Sequence, residues 1–268
     1  SDAVPETGTL RKPNPLFEVY YEPDEPYYVG RNLDDVLGDE QAGWNVWLYG
    51  PSGLGKTAAL RRRVIRGGSI PHQVTLAGHD PEPFKLLHHI CESLLERRGA
   101  LMPSGLDQNK LILQFCSACR ELAGNQNLFL LIEEIPGGMN GSQLEFLNLL
   151  YLCSQALELE PRRHTRIYLS SISDPRPGFL ASLEKLQEKI LFLEIGPWEA
   201  RDVRRLIDIL ARALQMALSA EECEVLVGAA AGSPRFIKHF FRTWRVKQGE
   251  TLSFREILQI SRREHVSR

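Results

Sequence analysis

The sequence lacks any apolar run that approaches the ~20 residues a membrane-spanning helix needs. Its first residues, Ser-Asp-Ala-Val-Pro-Glu-Thr-Gly, contain neither a basic start nor an apolar segment, so we expect no signal peptide. Hydrophobic residues make up 43% and charged residues 25% of the 268 residues, the balance of an ordinary soluble protein. We therefore expect a cytoplasmic protein without membrane contact, folded as one large domain or two moderate ones.

Cysteine is scarce as well. Its five residues are an odd number and fall mostly in apolar helical patterns, which favours reduced core thiols over a disulfide framework. Cys116 and Cys119 form a C-x-x-C inside such a helical pattern, and no second cysteine pair or C-H-x-H cluster completes a zinc site. We expect neither metal nor redox chemistry at that pair.

The net charge of −2 conceals an asymmetry, because residues 235–268 contain nine Lys and Arg against three Asp and Glu. That end carries +6 and residues 1–234 carry −8. A basic end of this kind suits nucleic acid or an acidic surface, and a solvated helical face is the other interpretation.

Residues 50–57 read Gly-Pro-Ser-Gly-Leu-Gly-Lys-Thr, a complete G-x-x-x-x-G-K-[ST] phosphate-binding loop between an apolar run and a helix-forming stretch. The glycines let successive backbone N–H groups face phosphate oxygens. Lys56 supplies a charge for the β and γ phosphates, Thr57 offers a hydroxyl to Mg²⁺, and the helix turns its positive end toward the anion. A plain glycine-rich turn does not explain the Lys-Thr pair. The predicted binding residues are Gly50, Pro51, Ser52, Gly53, Leu54, Gly55, Lys56, Thr57 and Ala58.

Five short apolar segments alternate with helical patterns, and their lack of polar alternation is typical of strands buried on both faces of a parallel sheet. The predicted strands are residues 44–49, 73–77, 128–135, 166–172 and 189–195. Helical periodicity is clear in residues 83–98 and 142–157. The pattern predicts a three-layer α/β sandwich around a five-stranded parallel sheet.

The pattern changes after Pro197, where residues 199–218, 220–231, 233–248 and 253–263 read as helices without a strand candidate. Ser219 and Glu222 have capping-box spacing, and Gly232 and Gly249 mark helix ends. We predict an α/β domain over residues 27–196, an all-helical domain over residues 197–268, and a loose, proline-rich N-terminal arm over residues 1–26.

The predicted strand 128–135 ends with two carboxylates, at the sheet edge where open α/β folds bind ligands. Phosphoryl transfer needs an acidic residue to support Mg²⁺ and a group that orients the attacking water. We assign the first role to Glu133, through water, and the second to Glu134. Ordinary strand-end carboxylates are the alternative.

Together these motifs resemble the AAA+ ATPases and the related STAND switch ATPases, especially the branch of Orc/Cdc6 initiators and TniB-like transposition ATPases. Tyr28-Val-Gly-Arg31 resembles the "VGR" box of that branch, about twenty residues before the phosphate loop. Gly232-Ser-Pro-Arg-Phe236 resembles the sensor 2 motif, Gly-x-Pro-Arg. With the loop and the Glu133-Glu134 strand, the resemblance covers roughly residues 27–240.

The resemblance implies an ATPase that binds ATP with Mg²⁺ and closes a helical lid over the nucleotide. Lys56, Glu134 and Arg235 are then the catalytic residues, and Pro234 and Arg235 lie at the phosphates. Tyr28, Val29, Gly30 and Arg31 would lie over the adenine and ribose. For Tyr27, Tyr28 and Val29 an equal alternative is that they pin the arm to the core.

Two departures from the family pattern favour a slow switch over a motor. Position 133 is Glu where the family has Asp, and Mg²⁺ tolerates little geometric error. The segment 180–190 offers only Lys185 and Lys189 where an arginine finger is usual, and Arg176 comes early in that region. Arg162 and Arg163 are substitutes by composition alone, and a solvated turn is the favoured interpretation there. Sensor 1 falls on Ser171, Ser173 or Asp174, and the choice stays open.

The sequence thus predicts an ATP-dependent switch or assembly ATPase that acts with ATP/ADP and with further copies of itself or a partner protein. Double-stranded DNA is a candidate partner through the basic C-terminal helices, at Arg242, Arg245, Lys247, Arg262 and Arg263. A non-catalytic, nucleotide-stabilised scaffold or nucleic-acid-binding module is the alternative. A small-molecule kinase is less favoured, because such kinases insert an arginine-rich lid within the α/β domain.

Overall fold

The computed structural model describes residues 11–38, 45–69, 71–124, 126–136, 142–158, 165–178, 190–248, 250 and 252–266. The chain divides into two compact units. The sheet unit comprises Asn32–Ser52 and Ala59–Gly196, and the helical unit comprises Ser1–Arg31, Gly53–Ala58 and Pro197–Arg268. The predicted boundaries at residues 27 and 197 stay a prediction.

The sheet unit contains five strands in the order β2-β3-β4-β1-β5, and every pairing between them is parallel. The strands are β1 Asn45–Tyr49, β2 Pro71–Thr75, β3 Leu128–Ile135, β4 Thr165–Ser171 and β5 Ile190–Glu194. The predicted five-stranded parallel α/β fold is confirmed. β2 begins two residues earlier than predicted, at Pro71, because a proline is tolerated as the first residue of an edge strand.

Five described helices accompany these strands, and the periodic segments 83–98 and 142–157 are helical as predicted. The helices are α1 Asn32–Gly38, α2 Lys56–Arg66, α3 Pro83–Glu96, α4 Gln108–Ala123 and α5 Ser142–Glu158. The apolar faces of α3, α4 and α5 join the sheet in one core that fully buries Trp47, Phe115 and Phe146. The five cysteines are free, and four of them, all except Cys223, are buried in this core.

The helical unit contains α6 Ala200–Ala213, α7 Ala220–Ala230, α8 Pro234–Val246 and α9 Phe254–Val266, and its described residues form no strand. The predicted capping box forms at α7, where Ser219 Oγ accepts from Glu222 N at 3.2 Å and Glu222 Oε2 accepts from Ser219 N at 2.8 Å. A second core surrounds the buried Phe240 and Phe241. Among the described helices, none has the length and apolar character required to cross a membrane.

The described part of the N-terminal segment is packed rather than loose, which corrects the expectation for residues 11–26. Asp24 is fully buried at the 3₁₀ helix Glu22–Tyr27 and accepts from Asn14 N at 2.8 Å. Phe17 is buried as well, and its carbonyl accepts from Lys238 Nζ of α8 at 2.8 Å. The proline content suggested a linker, but the aromatic residues between the prolines supply apolar surface that packs on the helical unit.

Candidate nucleotide-binding site

The phosphate loop leaves β1 through backbone conformations that only glycine adopts readily. Gly50, Gly53 and Gly55 have φ of 140°, 82° and 91°. A Cβ on Gly50 would lie 2.1 Å from the carbonyl oxygen of Ile195, so no other residue fits there. The helix α2 then begins at Lys56, the last residue but one of the motif. Glycine conformations followed by a helix N-terminus form a cradle that fits a phosphate chain.

Arg235 reaches this loop from the first turn of α8. Ser233 caps the helix, with its Oγ accepting from Phe236 N at 3.2 Å, and Pro234 occupies the first helical position. A Cβ on Gly53 would lie 3.0 Å from Arg235 Nε and 3.2 Å from Arg235 Cδ. A cation at a helix N-terminus opposes the helix dipole, so this placement does not serve helix stability. The structure therefore brings the predicted sensor 2 arginine to the phosphate loop.

Two further side chains bind the carbonyl oxygen of Leu54 in the same loop. Trp198 Nε1 donates to it at 2.9 Å, and Arg31 donates to it at 3.3 Å while its guanidinium lies 4.5 Å from the centre of the Trp198 ring. The predicted Arg31 is thus at the loop. Trp198 was not predicted, because its partner is 144 positions away and no local pattern marks it.

Gly232 of the sensor 2 motif accounts for the position of Trp198. The Gly232 carbonyl accepts from Trp198 N at 2.9 Å, and a Cβ on Gly232 would lie 2.6 Å from Pro197 Cβ. This close approach of two backbone segments requires glycine. The sensor 2 motif therefore fixes the position of Trp198 through Gly232, and it places Arg235 three residues after that glycine.

The residues before Arg31 contact the protein interior. Val29 is 2% exposed in the core of the helical unit, and Tyr28 packs edge-on against Tyr20 with ring centres 5.6 Å apart. Gly30 is exposed. These contacts correspond to the pinning role, one of the two that the sequence left open.

The carboxyl end of β3 carries a β-bulge that separates the two predicted carboxylates. Ile132 pairs with Leu169 and Ile135 with Ser171, so Glu133 and Glu134 together oppose one residue of β4. Glu134 has φ of 55° and is exposed, whereas Glu133 is 5% exposed. A non-glycine residue in this left-handed region costs about 1–2 kcal/mol, and such strain concentrates at functional sites.

Ser170 is the β4 residue at the bulge, and its Oγ accepts from Glu134 N at 3.4 Å. It was not among the predicted sensor 1 residues, because the bulge that brings it there depends on strand register. The Ser171 hydroxyl makes two hydrogen bonds within the protein. It accepts from Trp47 Nε1 at 2.9 Å and donates to the Ser173 carbonyl at 2.7 Å.

Asp174 and Arg176 form a bidentate ion pair just after β4. Arg176 donates to Asp174 at 2.8 and 3.0 Å and to Tyr49 Oη at 2.5 Å. The hydrogen bonds from Arg176 lower the pKa of Asp174. Asp174 is thus paired, and Arg176 is held beside β1. The substitutes Arg162 and Arg163 lie outside the described residues, as do Lys185 and Lys189.

The buried Glu133 carboxylate contacts the neighbouring edge strand. Its Oε2 accepts from Gln73 Nε2 of β2 at 2.5 Å, and Gln73 Oε1 accepts from Arg61 of α2 at 3.0 Å. No group of three or more His, Cys, Asp and Glu side chains in the described part of the chain is arranged to hold a metal ion. Magnesium here would therefore need phosphate oxygens and water among its ligands, which is its usual preference.

No family model matches the sequence, and no curated protein matches it. Several solved structures do match this chain. The Aeropyrum pernix ORC2 protein in its ADP form matches with 17% identity over 92% of this chain and 71% of that chain, at a TM-score of 0.63. The A. pernix ORC1 protein in complex with DNA matches with 20% identity over 93% and 66%, at 0.60.

Domain III of the Thermotoga maritima replication initiation protein DnaA matches with 16% identity over 88% of this chain and 93% of that chain, at a TM-score of 0.55. At these identities the likeness establishes the fold. It is the fold of AAA+ P-loop ATPases with a C-terminal helical region, and the predicted resemblance is confirmed at that level.

Proposed function

We propose that this protein is an ATP-binding switch or assembly ATPase that hydrolyses ATP slowly to ADP and phosphate. The observation that carries the proposal is the position of Arg235 against Gly53 of the phosphate loop. An arginine in this place forms a charge-assisted bond with a terminal phosphate, so its helix responds to whether that phosphate is present.

The roles of the other residues follow from their chemistry. The N–H groups of the loop and Lys56 bind the phosphate chain, and Thr57 and Glu133 hold Mg²⁺, the second through water. Magnesium, when bound, neutralises charge on the phosphate oxygens. Glu134 orients the attacking water and accepts its proton. Glutamate at position 133, where the family has aspartate, supports slow turnover, because Mg²⁺ tolerates little geometric error.

Two variants test this function. Lys56→Ala removes the cation for the β and γ phosphates, so we expect no ATP binding in calorimetry. Glu134→Gln keeps the shape of the side chain but not its basicity, so binding persists while phosphate release stops. The phosphate appears free in solution rather than on an added acceptor, which separates this function from a kinase. Equal ATP affinity for Lys56→Ala and the parent contradicts the proposal.

Double-stranded DNA is the partner that we propose for the basic helical end. Arg245, Arg262 and Arg263 are exposed. Arg242 pairs with Glu18 at 3.0 Å and Lys247 with Glu250 at 2.7 Å. Solution mass with and without ATP and DNA tests self-association at the same time.

The salt dependence of duplex binding tests the DNA contact. Removing one arginine that binds a DNA phosphate should reduce the slope of log affinity against log salt by about 1. The triple change Arg245→Ala, Arg262→Ala, Arg263→Ala should therefore reduce the slope by up to about 3. Binding without salt dependence, or without ATP dependence, contradicts this partner.

A further inference from the structure

Two hydrogen bonds join the side chains of Arg61, Gln73 and Glu133, which are not adjacent in sequence. We call these three side chains the relay. Arg61 lies on α2, Gln73 on the edge strand β2, and Glu133 on β3. Arg61 donates to Gln73 Oε1 at 3.0 Å, and Gln73 Nε2 donates to Glu133 Oε2 at 2.5 Å. Arg61 is 8% exposed and Glu133 is 5% exposed, so both charges are largely removed from water.

The chemistry of the three groups fixes the direction of both bonds. A guanidinium has only donors, so the Gln73 atom that it contacts must be the amide oxygen. The amide nitrogen then faces Glu133, and the Oε2 atom of Glu133 must accept. A neutral amide between a buried cation and a buried carboxylate gives each a charge-assisted hydrogen bond, and these are about twice as strong as neutral ones.

The relay begins in the helix that starts in the phosphate loop. Arg61 follows Thr57 by four residues in α2, which is about one helical turn. The helix that carries one proposed magnesium residue is therefore connected through Gln73 to the strand that carries the other. Neither Arg61 nor Gln73 belongs to a sequence motif, and only the pairing of β2 with β3 brings Gln73 to Glu133.

We propose that Arg61 and Gln73 are positioning residues that orient the Glu133 carboxylate for a magnesium-bound water. This rests on the proposed function. The relay also accounts for glutamate at position 133, because its additional methylene lets one carboxylate both reach β2 and serve the metal. Partners that orient a metal-binding carboxylate typically change metal affinity by 10–100-fold when removed.

The magnesium dependence of ATP binding tests the relay. For each protein, calorimetry gives the Kd of ATP in excess Mg²⁺ and in EDTA, and the ratio of the two values reports the metal contribution. Gln73→Met keeps the length of the side chain but removes both hydrogen bonds, so the ratio should fall about tenfold. The Kd in EDTA should stay close to that of the parent, because the loop and Lys56 are intact.

Arg61→Met should lower the ratio in the same way, and the double variant should be no worse than Gln73→Met alone, because the residues act in series. Arg61→Lys keeps a charged donor and should recover most of the ratio. Arg62→Met and Gln155→Met are matched controls that should leave it unchanged, since their partners are Asp34 and Tyr151. If Gln73→Met does not fold, the Arg61 variants carry the test.

The outcomes separate the relay from the function on which it rests. If the parent binds no ATP, the proposed function fails. If the parent shows magnesium-dependent binding and the folded variants keep the same ratio, the relay is wrong. Equal loss of affinity in Mg²⁺ and in EDTA also overturns it, since that pattern indicates a general structural role.

Discussion

The Arg235 side chain lies against Gly53, in space that a side chain at residue 53 would occupy. A Cβ there would be 3.0 Å from Arg235 Nε, and Gly53 has φ of 82°. Gly105 offers a matched comparison, because its φ is 69° but nothing lies within 4 Å of its Cβ position. The two glycines therefore separate backbone strain from contact with Arg235.

Gly53→Ala should destabilise the protein by about 1–2 kcal/mol and also weaken ATP binding, since it both strains the loop and displaces Arg235. Gly105→Ala should cost similar stability and leave ATP affinity unchanged. Urea unfolding and calorimetry measure the two quantities. Equal ATP affinity for Gly53→Ala and the parent would show that the contact is irrelevant to the nucleotide.

We expect the strained backbone conformation of Glu134 to serve function and to reduce the stability of the fold. Its φ of 55° suits glycine, so Glu134→Gly should be about 1 kcal/mol more stable than Glu134→Ala, because both lack the carboxylate and only glycine relieves the strain. Neither variant should release phosphate from ATP. Equal stability of the two variants would indicate that the left-handed conformation carries no cost.

The bulge at Glu134 marks the limit of what the sequence predicts here. The bounds of β3 followed from its continuous apolar run, since a strand buried on both faces needs one. The bulge depends on how β3 pairs with β4, and with it come the exposure of Glu134 and the contact with Ser170. Local patterns contain no such register.

Elsewhere in the site as well, features that local sequence determines were predicted, and contacts between distant residues were not. The phosphate loop and the capped start of α8 are local, so Gly50 and Arg235 were found from sequence. Trp198 and Gln73 act on partners distant in the chain, and neither was found. The expectation of a loose N-terminal segment was wrong because composition alone does not show that Phe17 is buried on α8.

His72 should make the fold sensitive to acid. The side chain is 5% exposed, its Nδ1 accepts from Arg97 at 3.1 Å, and its Nε2 lies 3.3 Å from Ser93 Oγ. Arginine only donates, so the ring proton is on Nε2. Burial, with the nearby Arg97 charge, lowers the pKa of His72 from 6.5 to about 4.

The lowered pKa of His72 determines the direction in which the free energy of unfolding changes with pH. Above pH 6.5 the ring is neutral in both states, and between pH 6.5 and about 4 the unfolded chain takes up the proton first. The free energy of unfolding therefore falls as pH falls through this window, by roughly 3 kcal/mol in full. Urea unfolding at pH 7.5 and pH 4.5 should show a smaller drop for His72→Gln. An equal drop in both proteins contradicts the assignment.

The cysteines should differ in reactivity according to burial. Cys91, Cys116, Cys119 and Cys153 are buried and Cys223 is partly exposed. Burial raises the pKa of Cys91 to about 12, which keeps that thiol protonated. A thiol reagent should modify Cys223 rapidly in the native protein and all five cysteines after denaturation. Cys223→Ser should abolish the rapid phase, and rapid reaction that persists in this variant would mean an open core.

The ratio of ATP affinity to ADP affinity in excess Mg²⁺, measured for the parent, Arg235→Ala and Arg245→Ala, tests the switch most directly. A bond between Arg235 and the terminal phosphate is worth about 1.5–3 kcal/mol, so the parent should prefer ATP by about tenfold or more. Arg235→Ala should lose that preference while Arg245→Ala, an exposed arginine on the same helix, keeps it. A parent that binds no nucleotide, or an unchanged ratio in Arg235→Ala, would contradict a bond between Arg235 and the terminal phosphate.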